Sequence, residues 1–149
     1  MAHSQGVGKV LLTGTVSDSH TWNLVFLDLF LRERGHEVVN LGPCVPADLL
    51  ATRCRLDRPG LVVISSVNGH GYSDGLRAVT RLRAEPGCAA VPVVIGGKLG
   101  LDGRDDAGRA DRLRQAGCAA VFDDGDLTAF DHFLTALSTG ESTLAGRSA

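Results

Sequence analysis

Short apolar runs punctuate the chain at regular intervals, at Lys9–Thr15, Glu37–Leu41, Leu61–Ser65, Val91–Ile95 and Ala119–Phe122. Each is rich in Val, Leu or Ile, or in Ala and Phe, and none alternates strictly between apolar and polar positions. That pattern predicts strands buried on both faces of a parallel sheet. Between them lie stretches of helical character. Trp22–Arg34 is the clearest, closing on basic residues and then Gly35, a favourable C-terminal signal. Ala47–Arg55, Ser73–Arg83, Ala107–Ala116 and Leu127–Leu137 supply the others, with Pro46 placed where the second helix starts. Regular strand–helix alternation with short connections predicts an open, doubly wound α/β sheet of five parallel strands with right-handed crossovers, flavodoxin-like in strand order 2-1-3-4-5. Residues 1–138 are expected to form one domain, and the Ser-, Thr- and Gly-rich tail 139–149 is expected to be disordered.

Composition narrows the setting. The chain has 149 residues, 44% hydrophobic and 21% charged, with a net charge of -2. A domain of this size buries roughly 68–70% of the surface its unfolded chain exposes, so it folds without disulfides or a structural metal. Cys44, Cys54, Cys88 and Cys118 form no C-x-x-C pair and read as buried free thiols in a reducing cytosol. No stretch approaches the ~18 apolar residues of a membrane span, and no apolar run follows Met1-Ala2-His3-Ser4. A charge near zero, with no basic stripe, gives no electrostatic case for nucleic acid. A soluble cytoplasmic protein is expected, with no membrane or nucleic-acid partner.

In such a sheet, ligands bind beyond the carboxyl ends of the strands, so the loops there carry the chemistry. Ser17-Asp18-Ser19-His20 follows the first strand and Ser65-Ser66-Val67-Asn68-Gly69-His70-Gly71 closes the third. Gly96-Gly97-Lys98 closes the fourth, and Asp123-Asp124-Gly125-Asp126 the fifth. The second loop, Gly42-Pro43-Cys44-Val45-Pro46, is stiffened by two prolines and is able to reach the same rim. Together they suggest a large, mostly flat ligand.

Asp18 and His20 are one residue apart, which lets the carboxylate engage one imidazole nitrogen and leave the other free for a metal. Such a partner fixes the tautomer and raises the basicity of the coordinating nitrogen. The competing reading is a helix-capping Asp18 beside a solvated His20. Ser65 and Gly96-Gly97 likewise serve either a buried ring nitrogen and a closely approaching ligand, or merely a turn.

Taken in order, Asp18-Ser19-His20-Thr21-Trp22-Asn23, Ser65-Ser66-Val67 and Gly96-Gly97 resemble the Asp-x-His-x-x-Gly, Ser-x-Leu and Gly-Gly elements of the small, cobalamin-binding subunit of glutamate mutase, or methylaspartate mutase. The resemblance covers nearly the whole chain. It implies cobalamin with its dimethylbenzimidazole tail detached from cobalt and His20 as the lower axial ligand, the metal ligand of this chain. Asp18 would hydrogen-bond His20, the two forming the catalytic pair, and Ser65 would bond the tail base. Gly96, Gly97 and Gly125 would make room for the tail, and Ser17, Ser19, Thr21, Val67, Asn68 and Gly69 complete the implied cofactor-binding set. Three positions depart from the pattern. Asn23 stands for the glycine, a place where asparagine's tolerance of left-handed backbone would preserve a turn, Trp22 is bulky, and Val67 replaces leucine.

By the same resemblance the chain would serve an adenosylcobalamin-dependent carbon-skeleton isomerase interconverting glutamate and 3-methylaspartate. One open domain cannot enclose the upper corrin face, so a separate large catalytic subunit is implied, meeting the loops that bear His20, Asn68–Gly71 and Lys98. A corrinoid shuttle for methyl transfer shares these motifs, but such proteins carry a helical bundle ahead of the domain, and only about eight residues precede the first strand here. A non-enzymatic regulatory module is a further alternative, although a phosphoacceptor receiver would want Asp where Ser65 and Ser66 stand. Flavin at Thr13-Gly14-Thr15 and zinc at His20, His36, His70 and Cys44 rank lower, the latter lacking ligand spacing.

Overall fold

The computed structural model describes residues 8–97, 106–122 and 127–139. Strands β1 (Lys9–Gly14), β2 (Glu37–Asn40), β3 (Leu61–Ser66), β4 (Val93–Gly97) and β5 (Ala120–Phe122) alternate with helices α1 (Trp22–Glu33), α2 (Ala47–Asp57), α3 (Gly71–Ala84), α4 (Asp106–Ala116) and α5 (Leu127–Thr139). The strands form one parallel sheet in the order β2-β1-β3-β4-β5, the flavodoxin-like arrangement. Gly125, Lys98 and the tail beyond Thr139 lie outside the described residues.

Both faces of the sheet are covered, which is why its central strands read as unbroken apolar runs. All six residues of β3 are buried. On one face Leu11, Val62, Ile64, Val93 and Ile95 pack with Leu50, Cys54, Val79, Leu82 and Leu113 from α2, α3 and α4. On the other, Val10, Leu12, Val63 and Val94 meet Leu24, Phe30 and Leu31 of α1 and Phe130 and Leu134 of α5. Phe30 and Phe130 stack with centroids 5.7 Å apart and tie α1 to α5. Burying each such side chain stabilises the fold by about 1.5–3 kcal/mol. Gly75 brings α3 so close to β4 that an added Cβ would lie 2.8 Å from Ile95 Cδ1.

Element ends sit within two residues of the sequence reading. The fourth strand begins at Val93 rather than Val91, because Pro92 has no N–H to pair, although its carbonyl accepts from Val62. One expectation fails. Cys54, Cys88 and Cys118 are buried free thiols, but Cys44 is exposed at φ 56 in the loop after β2. Burial, with Cys88 alongside, pushes the Cys54 thiol up to about 12, and burial pushes Cys118 to about 11, so neither forms a thiolate at neutral pH. Among the described residues no helix is long and apolar enough to cross a membrane.

Sheet register positions the site. Gly14 pairs with Ser65, Ser65 with Gly96, and Ser66 with Gly97, so the carboxyl ends of β1, β3 and β4 reach the rim side by side.

Candidate functional site: a histidine held by a buried carboxylate

Asp18 is 1% exposed although it lies in a surface loop, while His20 beside it is 58% exposed. A buried carboxylate is costly unless every lone pair is met, and here each oxygen accepts two hydrogen bonds. Oδ1 accepts from the His20 backbone N–H at 3.0 Å and from His20 Nδ1 at 2.7 Å. Oδ2 accepts from the Val67 N–H at 2.7 Å and from the Ser66 hydroxyl at 3.2 Å. Burial alone would raise the Asp18 carboxyl, but the backbone bonds from His20 and Val67, with the side chains of His20 and Ser66, hold it below its ordinary value of 3.8. The ionised carboxylate keeps a ring proton on His20 Nδ1 and leaves Nε2 as the nitrogen that faces the rim, the one a metal would take from the neutral ring.

Two further loops fix this loop in place. The Asp18 carbonyl accepts from the Cys44 N–H at 3.0 Å, which brings the β2–α2 loop to the rim. Asn68 donates through Nδ2 to the Ser17 carbonyl and hydroxyl and accepts at Oδ1 from the His70 N–H, with the Ser66 oxygen, whose one proton goes to Asp18, 3.2 Å from the same atom. The Ser17 hydroxyl in turn donates to Asp74, a buried carboxylate in the first turn of α3. Ser19 and Thr21 are exposed beside His20, Thr21 preceding α1 without a side-chain cap. Gly69 is buried at φ 90 in the turn before α3.

A groove of about 200 Å3 opens beside the rim, between α1 and α5 and over the ends of β3, β4 and β5. Asn23, Phe26, Leu27, Ser65, Val67, Gly96, Gly97, Phe122 and Phe130 line it. Asn23 is not in a left-handed turn, contrary to the expectation for the glycine it replaces; it lies in the first turn of α1 and turns its amide into the groove. Its Nδ2 donates to Ser65 Oγ at 2.7 Å.

Sequence reasoning left several participants without a role: Ser66, Thr15, whose hydroxyl donates to Ser66 Oγ at 3.4 Å, the Val67 amide, and Asp74. Only Ser66 carried a signal, as a second hydroxyl ending an apolar strand.

Fold and rim together define a ligand-binding α/β domain, with one oriented imidazole and a ring-sized groove at its side. Among the described residues no group of three or more His, Cys, Asp or Glu gathers to hold an ion. The chain belongs to the B12-binding domain family, whose model matches residues 8–128. No curated protein matches it. Among solved structures it is similar to a cobalamin-binding protein from Desulfitobacterium hafniense DCB-2, with a TM-score of 0.64 at 18% identity over 94% of this chain and 58% of that one. It is similar also to the Methanosarcina barkeri monomethylamine corrinoid protein, with a TM-score of 0.68 at 16% identity over 90% and 60% of the two chains. At those identities the likeness is one of fold, and this chain spans about three fifths of either structure's length.

The donors present fit cobalamin. His20 Nε2 is unblocked and oriented, and the groove holds a buried acceptor with no partner, Asn23 Oδ1. Asp18→Asn is expected to turn an NH2 group against the backbone N–H of either His20 or Val67, loosening the loop together with the ring and lowering cobalamin affinity about 10- to 100-fold in a spectroscopic titration. The same variant reports on acid stability. Because the folded Asp18 value is lowered, its contribution is complete above pH 3.8 and is lost as pH falls through that lower folded value. Urea unfolding across this window should show a flatter acid limb in Asp18→Asn than in the parent protein.

Proposed function

We propose that this chain carries adenosylcobalamin as the cofactor subunit of a carbon-skeleton mutase of the glutamate/3-methylaspartate type, working with a separate large catalytic subunit. The observation that carries the reading is the Asp18–His20 pair, with Nδ1 committed to the carboxylate and Nε2 free at the rim. His20 would ligate cobalt from below, Asp18 would hold the ring and balance its charge, and Ser65, Gly96 and Asn23 would receive the nucleotide tail in the groove. Bound there, the cofactor supplies radical chemistry. The chain's own part is to orient the metal and to keep the tail base from competing with His20. His20 is exposed among the described residues of the rim, and in this reading a partner would exclude water and hold substrate.

Exposed apolar side chains on α1 support a partner at this rim. Trp22, two residues from His20, is 82% exposed and Leu29 is 58% exposed. Asn68 is a poor probe of that contact, because its side chain braces the Ser17 loop. Trp22→Glu is the cleaner variant: cobalamin affinity should hold while partner-dependent turnover falls.

A second reading, a methyl-transfer shuttle, draws on the likeness to the Methanosarcina corrinoid protein. One experiment separates the two. Hydroxocobalamin added to the purified chain should shift its visible spectrum to the histidine-ligated form. Anaerobic glutamate turnover should then require adenosylcobalamin and the large subunit together. Turnover by the chain alone, or methyl transfer without isomerisation, would overturn the mutase reading.

A further inference from the structure

Asn23 occupies the position at which the motif calls for glycine, so a side chain enters the groove where none is expected. Its two polar ends are unequal. Nδ2 donates to Ser65 Oγ at 2.7 Å, whereas Oδ1 is buried without a hydrogen-bond partner. A buried acceptor left in that state destabilises the protein until something donates to it. Ser65 is changed by the same contact. Its oxygen receives the Asn23 proton, and its own hydroxyl proton has no acceptor among the described residues. The floor of the groove thus holds one donor and, just beneath its surface, one unmet acceptor, in a setting otherwise built from Phe26, Leu27 and Phe122. An apolar cavity of about 150 Å3 holds a single benzene ring, so the roughly 200 Å3 here suits a fused two-ring base.

We infer that Asn23 and Ser65 select the base on the cofactor's tail, favouring a purine with an amino group beside a ring nitrogen, such as adenine, over dimethylbenzimidazole. The inference rests on the proposed seating of the tail in this groove. An aminopurine meets both groups: its ring nitrogen accepts from the Ser65 hydroxyl and its amine donates to Asn23 Oδ1. Dimethylbenzimidazole, once off cobalt, offers a ring nitrogen to Ser65 but no donor, and Asn23 Oδ1 stays unpaired behind it. Sites built to hydrogen-bond a polar group discriminate against ligands that lack it, because the site's own buried atom is then stranded.

The test is a binding titration, read by visible spectrum, with two cobamides differing only in the lower base, adenine or dimethylbenzimidazole, and with cobinamide, which has no nucleotide tail. The parent protein should bind the adenine form roughly tenfold more tightly, the worth of one buried hydrogen bond. Asn23→Ala should bring the two affinities together. Because the readout is a ratio within one protein, a loss of overall stability in the variant does not alter it. Equal affinities in the parent protein, both tighter than cobinamide, would overturn the selection while leaving the tail in the groove. Cobinamide binding as tightly as either cobamide would overturn the tail's seating as well.

Discussion

Replacing His20 with alanine is expected to abolish the protein's nitrogen coupling in the paramagnetic resonance spectrum of the bound cob(II)alamin form. The expectation follows from geometry: Nδ1 is engaged by Asp18 at 2.7 Å and the ring is 58% exposed, so Nε2 is its one free donor at the rim. The cofactor's own base also carries nitrogen, and in the variant it can return to cobalt. Histidine labelled with heavy nitrogen removes that ambiguity, since only a protein imidazole then changes the splitting. Splitting that ignores the label in the parent protein, or label-sensitive splitting that survives in His20→Ala, would move the ligand elsewhere. Cobalamin affinity should fall beyond the 10- to 100-fold expected for Asp18→Asn, because the proposed metal ligand would be removed rather than misaligned.

Gly97→Ala is expected to unfold the protein outright or nearly so. Gly97 adopts φ +110, where side chains are strained, and an added Cβ would lie 2.0 Å from the Ser66 carbonyl oxygen, a backbone atom in a central strand that cannot step aside. Strain and overlap together place the substitution among the rare single changes costing more than about 4 kcal/mol. Total stability for a domain is only about 5–15 kcal/mol. Gly96→Ala makes the contrast, since its Cβ would stand an ordinary 3.7 Å from Phe122 Cβ. That variant should keep its urea midpoint and lose cobalamin affinity, because the added methyl narrows the groove. A native-like midpoint for Gly97→Ala would mean that β4 can end in another conformation.

The resemblance gives both glycines one task, room for the tail. The structure adds a separate reason for Gly97, the close passage of β3 and β4, which no local pattern encodes. This is where legibility ends more generally. Strands and helices were readable because their signals are local: unbroken apolar runs, Pro46, Gly35. The Asp18–His20 pair was readable because its members are two residues apart. Thr15, Ser66 and Val67 were not assigned to that pair because their roles depend on sheet register, which brings the ends of β1 and β3 together. Asn23 misled for a related reason. The motif's glycine suggested a turn there even though the apolar pattern already opened a helix at Trp22, and the contact of its amide with Ser65 spans forty-two positions of sequence. Cys44 misled because cysteine is usually buried, whereas here its backbone N–H, bonded to the Asp18 carbonyl, is the part that matters.

The Val67 amide, which donates to Asp18 Oδ2 at 2.7 Å, extends the backbone of β3 directly into the loop that carries His20. An exposed loop ordinarily opens by itself, with a free energy far below that of the whole molecule. This one opens only by stripping donors from a buried carboxylate, so its fluctuations are coupled to the cooperative unit formed by the central strands. Hydrogen exchange at the Val67 amide would then be nearly as slow as in mid-β3. His20 Nε2, the proposed ligand, would then be preorganised before any cofactor arrives, and capture would proceed without an ordering step.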